Sequence, residues 1–246
     1  MFNFKSMSRI RKLYFARLFA RIGILLLSLA LYFVGADVFA PLEGMRFFEG
    51  VGLMHLLWLI WMIDMFAQIF PFHKDISIGS LKVFARHFRP IRDKINPKAI
   101  KEHIVAATKA TFWVIVIWCL LTAVIGLAHA YGLLSDIHLF LITVFFYVCD
   151  LICVLIWCPF RLTMKNRCCT TCRIFNWDHL MMFSPMLFIP SFYALSLFFV
   201  SLLVFFVWEI AILLHPERFW DKTNAALQCV NCTDKLCTQY CQKLRK

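Results

Sequence analysis

The apolar positions of this chain form runs too long for strands and too unbroken for half-buried helices. Five stretches, about 22–40, 51–70, 111–134, 137–157 and 187–214, can each cross a hydrocarbon layer of about 30 Å, which takes roughly 20 helical residues. The pattern predicts an all-α, polytopic integral membrane bundle of about five spans within residues 22–214. Polar loops 71–110 and 158–180 interrupt it, and a polar tail, 215–246, follows. Ahead of it, "MFNFKSMSRIRKLYFARLFAR" (1–21) alternates basic residues with Phe2, Phe4, Ile10, Leu13, Phe15, Leu18 and Phe19. That alternation suits either an amphipathic helix at the interface or the ordinary positive flank of a first span. The 71–110 loop, with "HFRPIRDKINPKAIKEH", predicts short amphipathic helices broken at Pro90 and Pro97. Residues 181–214 are too many for one upright pass and too few for two with a turn. Pro185 and Pro190 there predict an interfacial or partly inserted piece before a span from about Ser191.

Composition strengthens this picture. Hydrophobic residues make up 62% of the 246, charged residues only 16%, and there are 27 Phe and 8 Trp, more apolar area than a soluble core of this size hides. The first apolar run has no secretory cleavage pattern and is expected to be retained. The net charge of +12 sits in the polar segments. Basic residues number six in 1–21, one in 41–49, nine in 71–110, none in 135–136 and four in 158–180. The alternation predicts a cytoplasmic N-terminus and cytoplasmic 71–110 and 158–180 loops, in a bacterial-type cytoplasmic membrane. It is an orientation signal rather than a nucleic-acid footprint, and no specific nucleic acid is expected as a partner. Five spans would put the tail outside, yet its six basic against three acidic residues argue for inside. The side of the tail stays open at this level.

Charge within the spans is scarce, which makes each instance informative. Asp64 shares a helical face with Trp61 and Gln68, and Asp150 a stripe with Thr143, Tyr147, Cys153 and Trp157; both should face the bundle, as structural carboxyls or as part of a proton or cation relay. At the other leaflet His55, His129 and His138 sit near span ends, where two imidazoles at one depth suit a b-type haem or a metal, and lone ones suit local hydrogen bonds. Cys119, Thr122, Gly126 and His129 form a small, polar face on the third span, suited to close packing or a cofactor.

Seven of the eleven cysteines fall in two short polar segments. In "CVNCTDKLCTQYC" Cys229, Cys232, Cys237 and Cys241 give C-x2-C-x4-C-x3-C, a spacing that can close a tetrahedron of thiolates on zinc or hold an iron–sulfur cluster. Disulfides are the competing expectation if the tail lies outside. In "NRCCTTCRIFNWDH" one of Cys168 and Cys169, with Cys172 and either Cys158 or His179, could form a second site; palmitoylation of a membrane-proximal cysteine cluster competes. "IWCPFR" (156–161) is similar to the Cys-Pro element at the inner end of a span in membrane-bound polyferredoxins. The similarity covers only those residues, and the ferredoxin-type C-x2-C-x2-C-x3-C-P run is absent. It implies iron–sulfur on a par with zinc.

No nucleotide-hydrolysis, serine-hydrolase, zinc-protease or dinucleotide-binding motif is present. The expected function is therefore a Cys-metal membrane protein with a redox role, using iron–sulfur or zinc and a b-type haem toward the outer face, with a redox protein or quinone as partner. The alternatives are structural zinc in a non-enzymatic membrane protein, and a small transporter subunit using Asp64 and Asp150.

Overall fold

The computed structural model describes residues 8–70, 87–91, 96–164, 171–232 and 236. Among them are seven α-helices: α1 (Arg9–Val34), α2 (Leu53–Ile69), α3 (Pro97–Ala130), α4 (Asp136–Leu155), α5 (Phe160–Met164), α6 (Asp178–Phe183) and α7 (Phe192–Leu214). The described residues contain no strand, only an isolated bridge between Pro90 and Asn224. Helices α1, α3, α4 and α7 are each long and apolar enough to cross a membrane; α2 is apolar but shorter. This is an integral membrane protein, and its outer surface agrees. On α3, Phe112, Trp113, Ile117, Leu120, Val124 and Leu127 are 57–62% exposed at helical spacing, a stripe that water would not tolerate and lipid does.

Helix starts follow local chemistry. Ser8 Oγ accepts from Arg11 N and begins α1, so the basic segment and the first span are one continuous helix within the described residues. Pro97 starts α3 instead of breaking a helix, because a first-turn residue has no intrahelical use for its N–H; Asn96 caps it by accepting from Lys98 N. The rest of the 71–110 expectation falls mostly on 71–86 and 92–95, outside the described residues. Ser191 accepts from Ala194 N and begins α7.

The bundle has two ends. One, the basic end, gathers the starts of α1 and α3 and the ends of α2 and α4; the opposite end holds the connections 35–52 and 131–135. Between α4 and α7 the chain returns from the first end to the second without a long helix. It leaves Arg173, level with Thr108 and Glu209, passes through α6 and the 3₁₀ segment Ser184–Phe188, and brings Phe188 against Gly126. Phe192 N then donates to Gly44 O at the opposite end (3.0 Å). Helix α7 covers the same depth in the 17 steps from Phe192 to Glu209, roughly 25 Å at about 1.5 Å per residue. The interrupted segment is enclosed by protein: Trp177, His179 and Met181 to Met186 are all buried. Lipid would not allow such a break, whereas protein can supply the missing partners.

The core gathers around Trp61, whose ring meets Phe140, Tyr147 and Phe183 at centroid distances of 6.0, 5.7 and 5.2 Å. The tail docks at the basic end. Trp220 stacks on His103 (4.8 Å, 12°), Asn224 is fully buried beside the 87–91 segment, and Leu236 packs with Tyr14, Leu18, Val154 and Leu155.

Candidate functional site

Helix α1 buries a narrow face, Tyr14, Leu18, Arg21 and Ser28, against the bundle. Three of these suit a helix interface and Arg21 does not, so its partners define the site. Arg21 Nη1 donates to Asp150 Oδ2 and to the Tyr147 carbonyl, both at 2.7 Å, while Nη2 lies 3.5 Å from Asp64 Oδ2. Its guanidinium carbon also sits 3.7 Å from the centre of the Tyr147 ring, adding a cation–π contact. The fork geometry of arginine lets one side chain tie α1 to α2 and α4 at once.

Asp178 and His179 extend the network onto α6. His179 Nδ1 donates to Asp178 Oδ1 at 2.8 Å, and His179 Nε2 lies 3.8 Å from Asp64 Oδ2. Gln68, one turn beyond Asp64, donates through Nε2 to Asp178 Oδ2 at 3.4 Å. The side chains of Arg21, Asp178 and His179 are no more than 9% exposed, and that of Asp150 is 15% exposed. Charges so far from water persist only when paired, since desolvating either partner alone costs several kcal/mol. Three carboxylates, Asp64, Asp150 and Asp178, here face Arg21 and His179, with Arg17 lining the same space. That space is a cavity of about 40 Å³. Two buried polar atoms, His179 Nε2 and Gln68 Oε1, have no hydrogen-bond partner among the described residues. The volume is enough to hold water beside them.

Sequence reasoning placed Asp64, Asp150 and Gln68 on inward faces and missed Arg21 and Asp178. By charge alone Arg21 reads as part of the positive flank; its spacing from Tyr14 and Leu18, i+7 and i+3, is the signal that singles it out. Glu209, also within an apolar run, is answered separately by Arg173 and by Trp177 Nε1, which donates to Oε1 at 2.7 Å.

Of the cysteine candidates, Cys158 is buried, Cys172 and Cys232 are half-buried, and Cys229 is exposed. Cys168, Cys169, Cys237 and Cys241 lie outside the described residues. Among the described residues no three His, Cys, Asp or Glu side chains converge to hold a metal ion. His179 turns toward Asp64 and Asp178 instead of completing a cysteine set.

The three histidines at the end opposite the basic one bond to groups around them. His55 Nδ1 accepts from Gly52 N and Nε2 donates to the Phe47 carbonyl at 2.7 Å. His138 does the same at the start of α4, with Nδ1 accepting from Ser135 N and Nε2 3.2 Å from Tyr32 OH. His129 Nδ1 donates to the Leu134 carbonyl at 2.8 Å. Each ring is held by the turn it closes. The Thr122 and Gly126 face packs on the interrupted segment: Trp118 Nε1 and Thr122 Oγ1 both donate to Ser184 Oγ, at 3.1 and 3.2 Å, beside a lateral apolar cavity of about 760 Å³. No protein-family model, characterised protein or solved structure matches this chain.

Proposed function

We propose that this protein is a small membrane carrier with six crossings, both ends of the described chain on the cytoplasmic side, and that it moves protons through the Arg21–Asp64–Asp150–Asp178–His179 network. The sixth crossing is the interrupted segment 173–191, which returns the count to even and accounts for the basic tail. The observation that carries the reading is the pair of buried atoms without a hydrogen-bond partner among the described residues, His179 Nε2 and Gln68 Oε1, at a small cavity between Asp64 and Asp178. A water there would pass a proton between Asp64 and His179 Nε2, while Asp178 holds the ring and Arg21 pairs with Asp150. Interrupted crossings are where transporters place such groups, because the break can shift while flanking helices stay fixed. Above the network the Trp61 core closes the path, so release toward the opposite end requires movement of Ser184–Phe188.

The test is proton flux in liposomes carrying an internal pH dye under an imposed potassium diffusion potential. Wild type should acidify the lumen faster than protein-free liposomes, and Asp64→Asn and Asp178→Asn should return to the protein-free rate. Equal rates for wild type and empty liposomes would sink the proposal.

A second reading keeps the cysteine–metal redox role. Leu236, between Cys232 and Cys237 in sequence, belongs to the buried cluster that holds Val154 and Leu155 just ahead of Cys158, which supports reading the two thiol segments as neighbours. That favours a shared cytoplasmic site over disulfides. Metal analysis and an absorption spectrum of anaerobically purified protein test it: Cys229→Ser/Cys232→Ser should lose a whole metal equivalent.

A further inference from the structure

Beside the charged network lies a second cavity, of about 260 Å³, whose wall includes Cys149, Cys153, Cys158 and Cys172 together with Met181. Asp150 and Asp178 line both cavities. Cys149 and Cys153 are one turn apart on α4. Cys158 follows where that helix ends, within side-chain reach of Cys153 and lining the same cavity. With Met182, eight residues of soft-donor or carboxylate type thus line a space they share with Trp118, Phe145, Phe146 and other apolar side chains. Ordinary packing does not require four thiols in one cavity.

We infer that this cavity binds a soft monovalent metal ion of the copper(I) class, with Cys153 and Cys158 as its ligands and Met181 beside them. Thiol and thioether donors select copper(I), and a filled d-shell ion of single charge is satisfied by two sulfurs where zinc asks for four ligands. The arrangement therefore suits the one class of ion that needs no third convergent ligand, in keeping with the absence of any such triple among the described residues. Binding displaces one proton from the two thiols and leaves copper(I) held by one thiolate and one thiol, an uncharged unit that an apolar cavity accepts; the proton leaves to solvent at the basic end. No electron is transferred. The site pairs Cys153, which lies outside both thiol-rich segments, with Cys158, and depends neither on proton transport nor on a metal in the tail.

The experiment titrates the full-length protein in detergent, anaerobically, with copper(I) in competition with bicinchoninate. Cys153→Ser/Cys158→Ser should bind one equivalent fewer than wild type, whereas Cys229→Ser/Cys232→Ser should retain that equivalent. Equal stoichiometry in wild type and Cys153→Ser/Cys158→Ser overturns the site. Because that variant can fail for reasons of folding, wild type is also labelled with a maleimide before and after addition of one equivalent of copper(I), and the labelled peptides are mapped. Protection of Cys153 and Cys158 by copper(I) and not by zinc is the expected result; no protection, or equal protection by zinc, overturns the assignment.

Discussion

Helix α3 and the interrupted segment 173–191 run side by side, and they solve the same problem in opposite ways. Helix α3 turns a stripe of Phe, Trp, Ile, Leu and Val to the lipid and keeps every backbone bond within itself. The interrupted segment is wrapped by α3, α4 and α7, breaks into a six-residue helix and a 3₁₀ turn, and carries Asp178 and His179 at the break. Lipid contact dictates regularity, and protein contact releases it. Irregular backbone and charge thus share one cause, enclosure, and they occur together for that reason.

The sharpest way to break this contrast is to remove the partner that enclosure supplies. Arg21→Ala leaves Asp150 buried without its main counter-charge and should lower stability by about 3–5 kcal/mol, read as a drop in the detergent melting temperature followed by tryptophan fluorescence. Arg21→Ala/Asp150→Ala should recover most of that loss; a double variant no more stable than the single one would show that pairing is not what holds α1. A carboxylate on the lipid side has no such rescue. Val124→Asp, at a position 62% exposed, should cost roughly 2.5–3.5 kcal/mol of insertion free energy, measured as the membrane-integrated fraction in a glycosylation-tagged fusion. Full integration would mean that this face is not against lipid.

Next in size is the seam between the two segments. A methyl group at Gly126 would overlap the Phe188 ring, while one at Gly23 meets nothing within 4 Å. Gly126→Ala should therefore cost about 1–3 kcal/mol, and Phe188→Leu should relieve it. Gly23→Ala should be neutral or stabilising by up to about 1 kcal/mol. Equal effects at both glycines would argue against close packing of the interrupted segment on α3.

The smallest effect concerns the tail. Burial against Trp220 pushes the His103 imidazole below its usual range, with Lys222 adding to the shift and Asp221 opposing it. The neutral ring is the form the fold prefers. Its contribution is complete above the unfolded histidine value of about 6.5 and is lost as pH falls from there through the lowered folded value. Limited proteolysis of the tail should accelerate on acidification across that window in wild type and change less in His103→Phe. A pH-independent wild type would remove His103 from the docking.

Much of the fold was legible because lipid imposes a strong pattern. The long apolar runs became helices, Ser191 begins α7, and Asp64 and Asp150 face inward. The interrupted segment reads only as an inserted piece, since its burial draws on neighbours far away in sequence, such as Trp61 against Phe183 and Gln68 against Asp178, and leaves no period of its own. Arg21 was missed for a related reason: in a run of basic residues, the buried one differs from its neighbours only by the face it occupies. The cysteine spacing drew attention to the polar segments, while Cys149 and Cys153, scattered in an apolar helix, met Cys158 and Cys172 only through the fold.

The pairing of Arg21 with Asp150 also sets an order of events during synthesis. The two residues are separated by 129 positions, so at about 5–20 residues per second the arginine emerges roughly 6–26 s before its carboxylate. Through that interval α1 cannot settle at its final depth with the guanidinium in hydrocarbon. It must wait with Arg21 reaching the interface, and it sinks into place when α4 arrives to receive it. The first helix made is in this sense among the last to be seated.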